Sequence, residues 1–586
     1  MGKVLPFSFF WVSLLALAAC SNGKSPAKQA YESKTLNGLY QFLRESLPNG
    51  DGTFYDKPSS TKIVDYIQTP DFWNKSDINL AYFMQESQRL NQDPDLLLPY
   101  CQSNADCISD NNSKVLGQCV YFDAANRNLC VGHSDLMLNK WYQQMSQAKA
   151  SIDIVSYDGN GWVNPDQRFI GLLRKIIENL ANSNKVVIIR LMFGVPQIGF
   201  SPATPTLDPT NFIKQLTQGI TINKLKVYVG TIQTCNLGDN CTGPYGILNK
   251  ISYNHSKIII VDKQTIITGG HNMIAADYMT YNPIYDISYI VSGLQLGDDA
   301  TNFVNVLWDF TIKNLNSPAF TSNANSCASY INGNYGMECP AALSSQINPA
   351  SNTNTNAISM MITNGGVGLT ANNEFHNLSD KARDYILMQA QNNINIFQQD
   401  IALHMPPYVN TPLYSLATLP NGLNLIDILA FKAINNVNIN MVLTNYGATG
   451  ASGGKYSSHV HTEDVALQIY NSAIKQFTGQ LSTTQIKLLL CNNVYISTIH
   501  YSDRYATWSD GSPIGLHVKM YSIDNHVFYI GSKNFYPFDM QEFGILNDSA
   551  QQYNILYSQY LSNLLNNSRP YAISGSMLGK CIFNDF

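Results

Sequence analysis

From about residue 135 onward, the apolar positions of this chain alternate between two rhythms. Segments 136–148, 169–180 and 211–218 repeat apolar residues at helical spacing. Segments 151–157, 186–193 and 225–229 are short, dense apolar runs. Dense runs of this length read as strands buried on both faces. The runs 258–261 and 265–267, parted by a short polar turn, add two more. A polar, Asn/Ser/Ala-rich interval over 315–357 reads as a linker or surface loop. Then the rhythm returns, with helices over 382–391, 425–434 and 463–477 and strands over 394–398, 439–443 and 486–490. A second strand–turn–strand over 517–534 closes the series. Alternation of this kind predicts an α/β sandwich with a largely parallel sheet. The repeated order predicts an internal duplication, offset by about 260 residues.

The expected organisation is residues 1–19 as a signal peptide and 20–134 as an N-terminal extension with Cys-rich loops. A first α/β half over 135–320, a linker over 321–357 and a second half over 358–586 follow. The extension carries helical stretches at 36–47 and 79–90. At 586 residues the chain exceeds one compact core. With 45% hydrophobic residues it is globular. A net charge of −5 gives no general basic footprint, so no nucleic-acid partner is expected and anion binding should be local.

The amino terminus has the layout of an export signal. Lys3 precedes an apolar run that ends at Ala19-Cys20. Leu17-Ala18-Ala19-Cys20 resembles a bacterial lipobox, which implies cleavage before Cys20 and lipid attachment to it. Ser21 at the next position resembles outer-membrane sorting. The plainer reading is an ordinary signal peptide and a periplasmic or secreted protein. No later segment reads as membrane-spanning. Ten further cysteines, several close together in polar loops, favour disulfides in an exported chain. These are Cys101, Cys107, Cys119 and Cys130, then Cys235 and Cys241, then Cys327 and Cys339, with Cys491 and Cys581 remaining. There is no C-x-x-C pair, and no metal is expected.

The chemistry concentrates in two stretches. NHSKIIIVDKQTIITGGHN, residues 254–272, carries His255, Lys257 and Asp262 as H-x-K-x4-D, with Asn272 ten residues past the Asp. HVKMYSIDNHVFYIGSKN, residues 517–534, repeats this with His517, Lys519, Asp524 and Asn534. Chance would supply roughly 0.04 such matches in a chain of this composition. In a strand, residues i and i+2 share a face, so each His would stand beside its Lys. An imidazole beside an ammonium is an anion site that holds a nucleophile or proton carrier. Gly269 and Gly270, and Ser532 after Gly531, allow close approach of backbone or phosphate.

At these residues the chain resembles the phospholipase D superfamily, and within it the secreted Streptomyces-type bacterial enzymes. The resemblance covers about residues 135–565, with a weaker echo at 68–73. It implies two similar α/β sandwich halves in a pseudo-twofold bilobal fold, with one active site at the seam. It also implies His255 as the nucleophile that forms a phosphohistidine, and His517 as general acid and then general base. Lys257, Lys519, Asn272 and Asn534 would hold the phosphoryl oxygens. Asp286 would support His517 and Glu542 would support His255, crosswise between the halves. Glu542 departs from the usual Asp. Asp262 and Asp524 complete the motifs and count among the catalytic candidates, as supports more than as reacting groups.

The remaining histidines lack the pattern. His133, His376, His404, His459, His461, His500 and His526 read as structural, as does His271, the strongest exception because it adjoins Asn272. The Gly-rich segment 446–458 lacks phosphate-loop spacing and reads as a loop, with an active-site lid as the alternative. The resemblance implies hydrolysis of phosphatidylcholine-type lipids to phosphatidic acid and alcohol, with transfer to other alcohols and no cofactor. Expected partners are a phospholipid membrane or micelle and water or a small alcohol, with the enzyme a monomer. The alternatives are a cardiolipin synthase-like phosphatidyltransferase, a nuclease of the same motif, or a binding lipoprotein with a degenerate site.

Overall fold

A computed structural model describes residues 32–70, 73, 100–107, 118–122, 126–132, 134–157, 168–183, 185–195, 207–221, 224–234, 252–279, 282–320, 323–344, 354–401, 423–450, 456–457, 460–502, 505–508, 511–535, 540–574 and 580–586. The export signal and Cys20, the 79–90 helix, His133, His404, His459 and the Cys235/Cys241 pair lie outside these residues. Most of the Gly-rich segment's tip lies outside them too. Ser33–Phe586 is one compact unit.

Eighteen strands are described. From the extension come β1 (Ser59–Thr69) and a hairpin of β2 (Gln118–Phe122) and β3 (Arg127–Val131). The first half supplies β4 (Ser151–Ser156), β5 (Ile188–Gly194), β6 (Lys226–Ile232), β7 (Ile258–Val261), β8 (Thr265–Gly269) and β9 (Asp286–Ser292). Next come β10 (Ser326–Ile331), β11 (Asn334–Gly336) and β12 (Ala357–Gly365). The second half supplies β13 (Asn393–Gln398), β14 (Asn438–Leu443), β15 (Val494–Thr498), β16 (Lys519–Ile523), β17 (Val527–Gly531) and β18 (Gln541–Asp548).

The two halves have the same topology. In the first, β4, β5 and β6 are parallel, and β7, β8 and β9 form an antiparallel meander joined to β4. In the second, β13, β14 and β15 are parallel, and β16, β17 and β18 repeat the meander beside β13. The sheets are therefore mixed, not largely parallel. The cause is the tight turn inside each motif. Asp262 and Lys263 both take positive φ, as do Asp524 and Asn525, within three-residue hairpin loops that reverse the strand.

Two further expectations are corrected. Segment 486–490 is helical, within Thr483–Asn493, and the strand follows at β15. Ser482 caps the helix with Gln485 in a reciprocal box, and a five-residue apolar run alone does not separate helix from strand. The 315–357 interval carries β10 and β11, and β10 adds antiparallel to β6 at the edge of the first sheet. β1 also ties the halves together. Its Ser59–Thr61 pairs with β12 and its Lys62–Thr69 with β9, across a bulge near Ile63 and Asp65.

Alternation along the strands splits the core. Ile258 and Ile260 of β7 join a cluster that contains Ile530 and Ile545 of the second half. Ile259 and Val261 face the other way, into a cluster with Phe169, Leu172 and Ile176 of helix Arg168–Asn182. Each buried aliphatic side chain contributes roughly 1.5–3 kcal/mol relative to exposure. Disulfides Cys101–Cys119, Cys107–Cys130, Cys327–Cys339 and Cys491–Cys581 suit an oxidising compartment. No helix among the described residues is long and apolar enough to cross a membrane.

Candidate active site

The two motifs meet at the seam between the halves. The chain enters β7 alongside the start of β18, where the His255 amide donates to the Gln541 carbonyl at 2.9 Å and the Gln541 amide to the Tyr253 carbonyl at 3.1 Å. The chain enters β16 alongside the start of β9, where the His517 amide donates to the Tyr285 carbonyl at 2.7 Å and the Tyr285 amide to the Gly515 carbonyl at 2.9 Å. In both crossings, the residue before the histidine pairs with the residue before the other half's acid. The backbone thus delivers each carboxylate to the opposite imidazole. Both histidines sit in the approach to a strand and not within it.

The crossed pairs are close. His255 Nδ1 lies 3.0 Å from both Oε1 and Oε2 of Glu542. His517 Nδ1 lies 2.8 Å from Asp286 Oδ2. A carboxylate on Nδ1 fixes the hydrogen there and leaves Nε2 as the reactive nitrogen. The extra methylene of Glu542 is taken up locally. Ser532 donates its hydroxyl to Glu542 Oε2. At the matching place in the first half stands Gly270, where an added Cβ would overlap the Asp286 carboxylate. Short acid goes with glycine, and long acid with serine.

The lysines also match. Lys257 Nζ donates to the His255 carbonyl at 2.8 Å, and Lys519 Nζ to the His517 carbonyl at 2.6 Å. His255, Lys257, Asn272, His517, Lys519 and Asn534 are all buried, as are Asp286 and Glu542. Burial disfavours charge, and it is the first cause of each shift here. It pushes His255 down to about 4 and His517 well below the usual histidine range. Lys257 falls to about 8, and Lys519 is held well below the usual lysine range. Burial raises Asp286 to about 7, against the pull of Lys519 and Lys257. An entering phosphodiester anion would favour protonation of one imidazole.

Asp262 and Asp524 stand at the motif turns, bonded to backbone amides of their own halves. Asp262 accepts from the amides of Lys149, Ala150 and Ser151 at 2.7–3.0 Å. Asp524 accepts from Gln391, Asn392 and Asn393 at 2.7–3.0 Å. Each pins its hairpin turn to the start of the first strand in its own half. Asp tolerates the left-handed conformation that the turn needs, so one residue serves both purposes.

His271 bridges β1 to β9, with Nε2 2.8 Å from Thr69 Oγ1 and Nδ1 2.7 Å from Ser288 Oγ. Sequence reasoning missed the tyrosines that wall the site. Tyr157 and Tyr253 stand edge-on to the His255 ring, with centroids 5.5 and 6.4 Å away. Lys257 Nζ lies 5.8 Å from the Tyr157 ring centre. Tyr456 stands edge-on to His517 at 4.8 Å, and its hydroxyl donates to Asp277 at 2.7 Å. Tyr278 reaches Asp286 and His517 directly. With 34 tyrosines in the chain, nothing in their spacing singles these out. Among the described residues, the one group with metal-ligand proximity is Cys101, Cys107 and Cys119, whose sulfurs are in disulfides.

No family model matches the chain. A phospholipase D of Streptomyces antibioticus is 27% identical over 438 residues, which span 65% of this chain and 74% of that protein. Among solved structures, the phosphatidylserine synthase of Haemophilus influenzae is 13% identical, with 82% of this chain and 91% of that one covered, at a TM-score of 0.43. NucT from Helicobacter pylori is 13% identical over 29% of this chain and 87% of that one, at 0.20. Yeast tyrosyl-DNA phosphodiesterase is 11% identical over 69% and 84%, at 0.32. The doubled motif and the length of the Streptomyces match show this chain to be similar to the phospholipase D superfamily.

Proposed function

We propose that the protein is a phospholipase D, which cleaves the distal phosphodiester of glycerophospholipids such as phosphatidylcholine and also transfers the phosphatidyl group to small alcohols. The observation that carries this reading is the pair of crossed histidine–carboxylate contacts between two lysines. Support comes from the Streptomyces relative, which is named a phospholipase D.

In the first step, His255 Nε2 attacks phosphorus and the bond to the head-group oxygen breaks. His517 donates its Nε2 proton to that oxygen, and the alcohol leaves. In the second step, neutral His517 takes a proton from water or an alcohol, whose oxygen attacks phosphorus. The phosphorus–nitrogen bond breaks and His255 is restored. Lys257, Lys519, Asn272 and Asn534 stabilise the phosphoryl oxygens as charge builds on them. Glu542 and Asp286 hold the two imidazoles in the required tautomer.

The test is choline release from phosphatidylcholine micelles by the purified protein in EDTA, with and without ethanol. Choline release, with phosphatidylethanol formed when ethanol is present, is the expected result. Absence of both, with turnover of phosphatidylglycerol or single-stranded DNA instead, would overturn the reading in favour of a phosphatidyltransferase or a nuclease.

A further inference from the structure

Each acid of the site receives one hydroxyl, but from different places. Glu542 receives Ser532, from the end of its neighbouring strand. Asp286 faces Gly270 at the matching position and receives Tyr278 instead. Tyr278 is fully buried, and its hydroxyl sits at a junction of three groups. It lies 3.1 Å from Asp286 Oδ2 and 3.2 Å from His517 Nδ1. The backbone amide of Asn272 points at it from 3.0 Å. The oxygen accepts from Asn272 and donates to Asp286.

We propose that Tyr278 is a positioning residue for the reaction, whose hydroxyl aligns Asp286 against His517 Nδ1 and ties that pair to the backbone of Asn272. The proposal rests on the two-histidine reading above. One hydroxyl then sets the direction of the imidazole that moves protons and the placement of the amide that holds phosphate. The charged and titratable groups that bear on this pair are Lys519, Lys257, His255 and His271 around His517, with Tyr560 beside Asp286. Behind Tyr278 stand Tyr456 and Asp277. None of these donates to Asp286 Oδ2 as Tyr278 does. Loss of the donor disfavours the carboxylate anion, and an Asp286–His517 pair without it holds its proton more tightly. The alkaline limb of the pH profile, where His517 loses its proton, should then move to higher pH.

The experiment compares Tyr278→Phe with the wild type on a short-chain phosphatidylcholine, as kcat/KM against pH. The expected result is a loss of about tenfold in kcat, the size of one hydrogen bond to a charged group, with KM little changed. The alkaline limb should rise by about half a unit to one unit. Tyr289→Phe, which removes a buried phenol that bonds Ile545 and Asn547 and touches neither Asp286 nor His517, should leave the limb where it is. A wild-type enzyme with no turnover of this lipid would defeat the functional reading. An active wild type whose profile superposes on that of Tyr278→Phe would defeat this proposal alone. Should the Phe variant not fold, Tyr278→Met takes its place, because a flexible unbranched side chain fills the buried site without a hydroxyl. Failure of both to fold would make Tyr278 a folding residue and overturn the proposal.

Discussion

The His255 side and the His517 side of the seam are built from the same unit and are not equivalent. Both present a buried imidazole, a lysine that reaches back to the histidine carbonyl, and a carboxylate from the other half. On the His255 side the carboxylate is a glutamate steadied by Ser532, and tyrosine rings stand at a distance. On the His517 side it is an aspartate with a tyrosine hydroxyl beside it and a second tyrosine against the ring. A two-step displacement needs one imidazole to attack while the other gives a proton. A duplicated fold supplies two copies of one site, and these local differences allow unlike roles.

The largest break in the comparison is removal of either imidazole. His255→Ala and His517→Ala should each lower turnover of phosphatidylcholine by about 10⁴-fold, near the upper range for a positioned acid–base group. Either variant at close to wild-type turnover contradicts the scheme. Next is Gly270→Ala, which imposes on the first half the side chain that the second half tolerates. The added Cβ would displace Asp286 from His517, and a displacement of about 1 Å costs roughly 100-fold. Ser532→Gly in the second half should cost much less, about one hydrogen bond or 1 kcal/mol, because Glu542 keeps its contact with His255. Equal losses in the two variants would erase the asymmetry.

Two smaller effects belong to the frame around the site. Asp262→Ala and Asp524→Ala should each lower stability by about 1.5–3 kcal/mol, with kcat/KM of the folded protein nearly unchanged. Chemical denaturation beside kinetics at low temperature separates the two. For His271, burial holds the imidazole down to about 3. The unfolded chain takes up that proton near pH 6.5, while the folded one does not. Stability from this group is therefore present above pH 6.5 and is lost as pH falls, at about 1.4 kcal/mol per unit. The stability advantage of the wild type over His271→Asn should shrink at that slope between pH 6 and 4. A constant difference would contradict the shift.

Much of this was legible in the sequence because the signals were doubled. Strand–turn–strand segments with two dense apolar runs, such as 258–267 and 518–530, have one economical reading, and both motifs lie in them. Asp286 and Glu542 could be named only through the family resemblance, since no local spacing ties an acid to a histidine 287 residues away. The sheet's mixed character was latent in Asp262-Lys263 and Asp524-Asn525, whose positive φ values are a property of the folded turn. The 486–490 error came from an apolar run too short to carry a period, beside a capping signal at Ser482 and Gln485. Strand β1 went unread because its polar residues Ser59, Ser60, Lys62 and Asp65 mask the alternation, and its partners come from both halves. Tyr278 was out of reach for a similar reason. Its role lies in three contacts that only the tertiary structure assembles.

The most direct test of the central claim is to trap the covalent intermediate in His517→Ala. A phosphatidyl ester with an activated phenol leaving group needs no general acid to form the phosphohistidine, and without His517 its hydrolysis should stall. Intact-protein and peptide mass spectrometry after rapid quenching should find one phosphatidyl group on His255, absent from the double variant His255→Ala/His517→Ala. Release of the phenol without any adduct, or an adduct on a residue other than His255, would contradict the account.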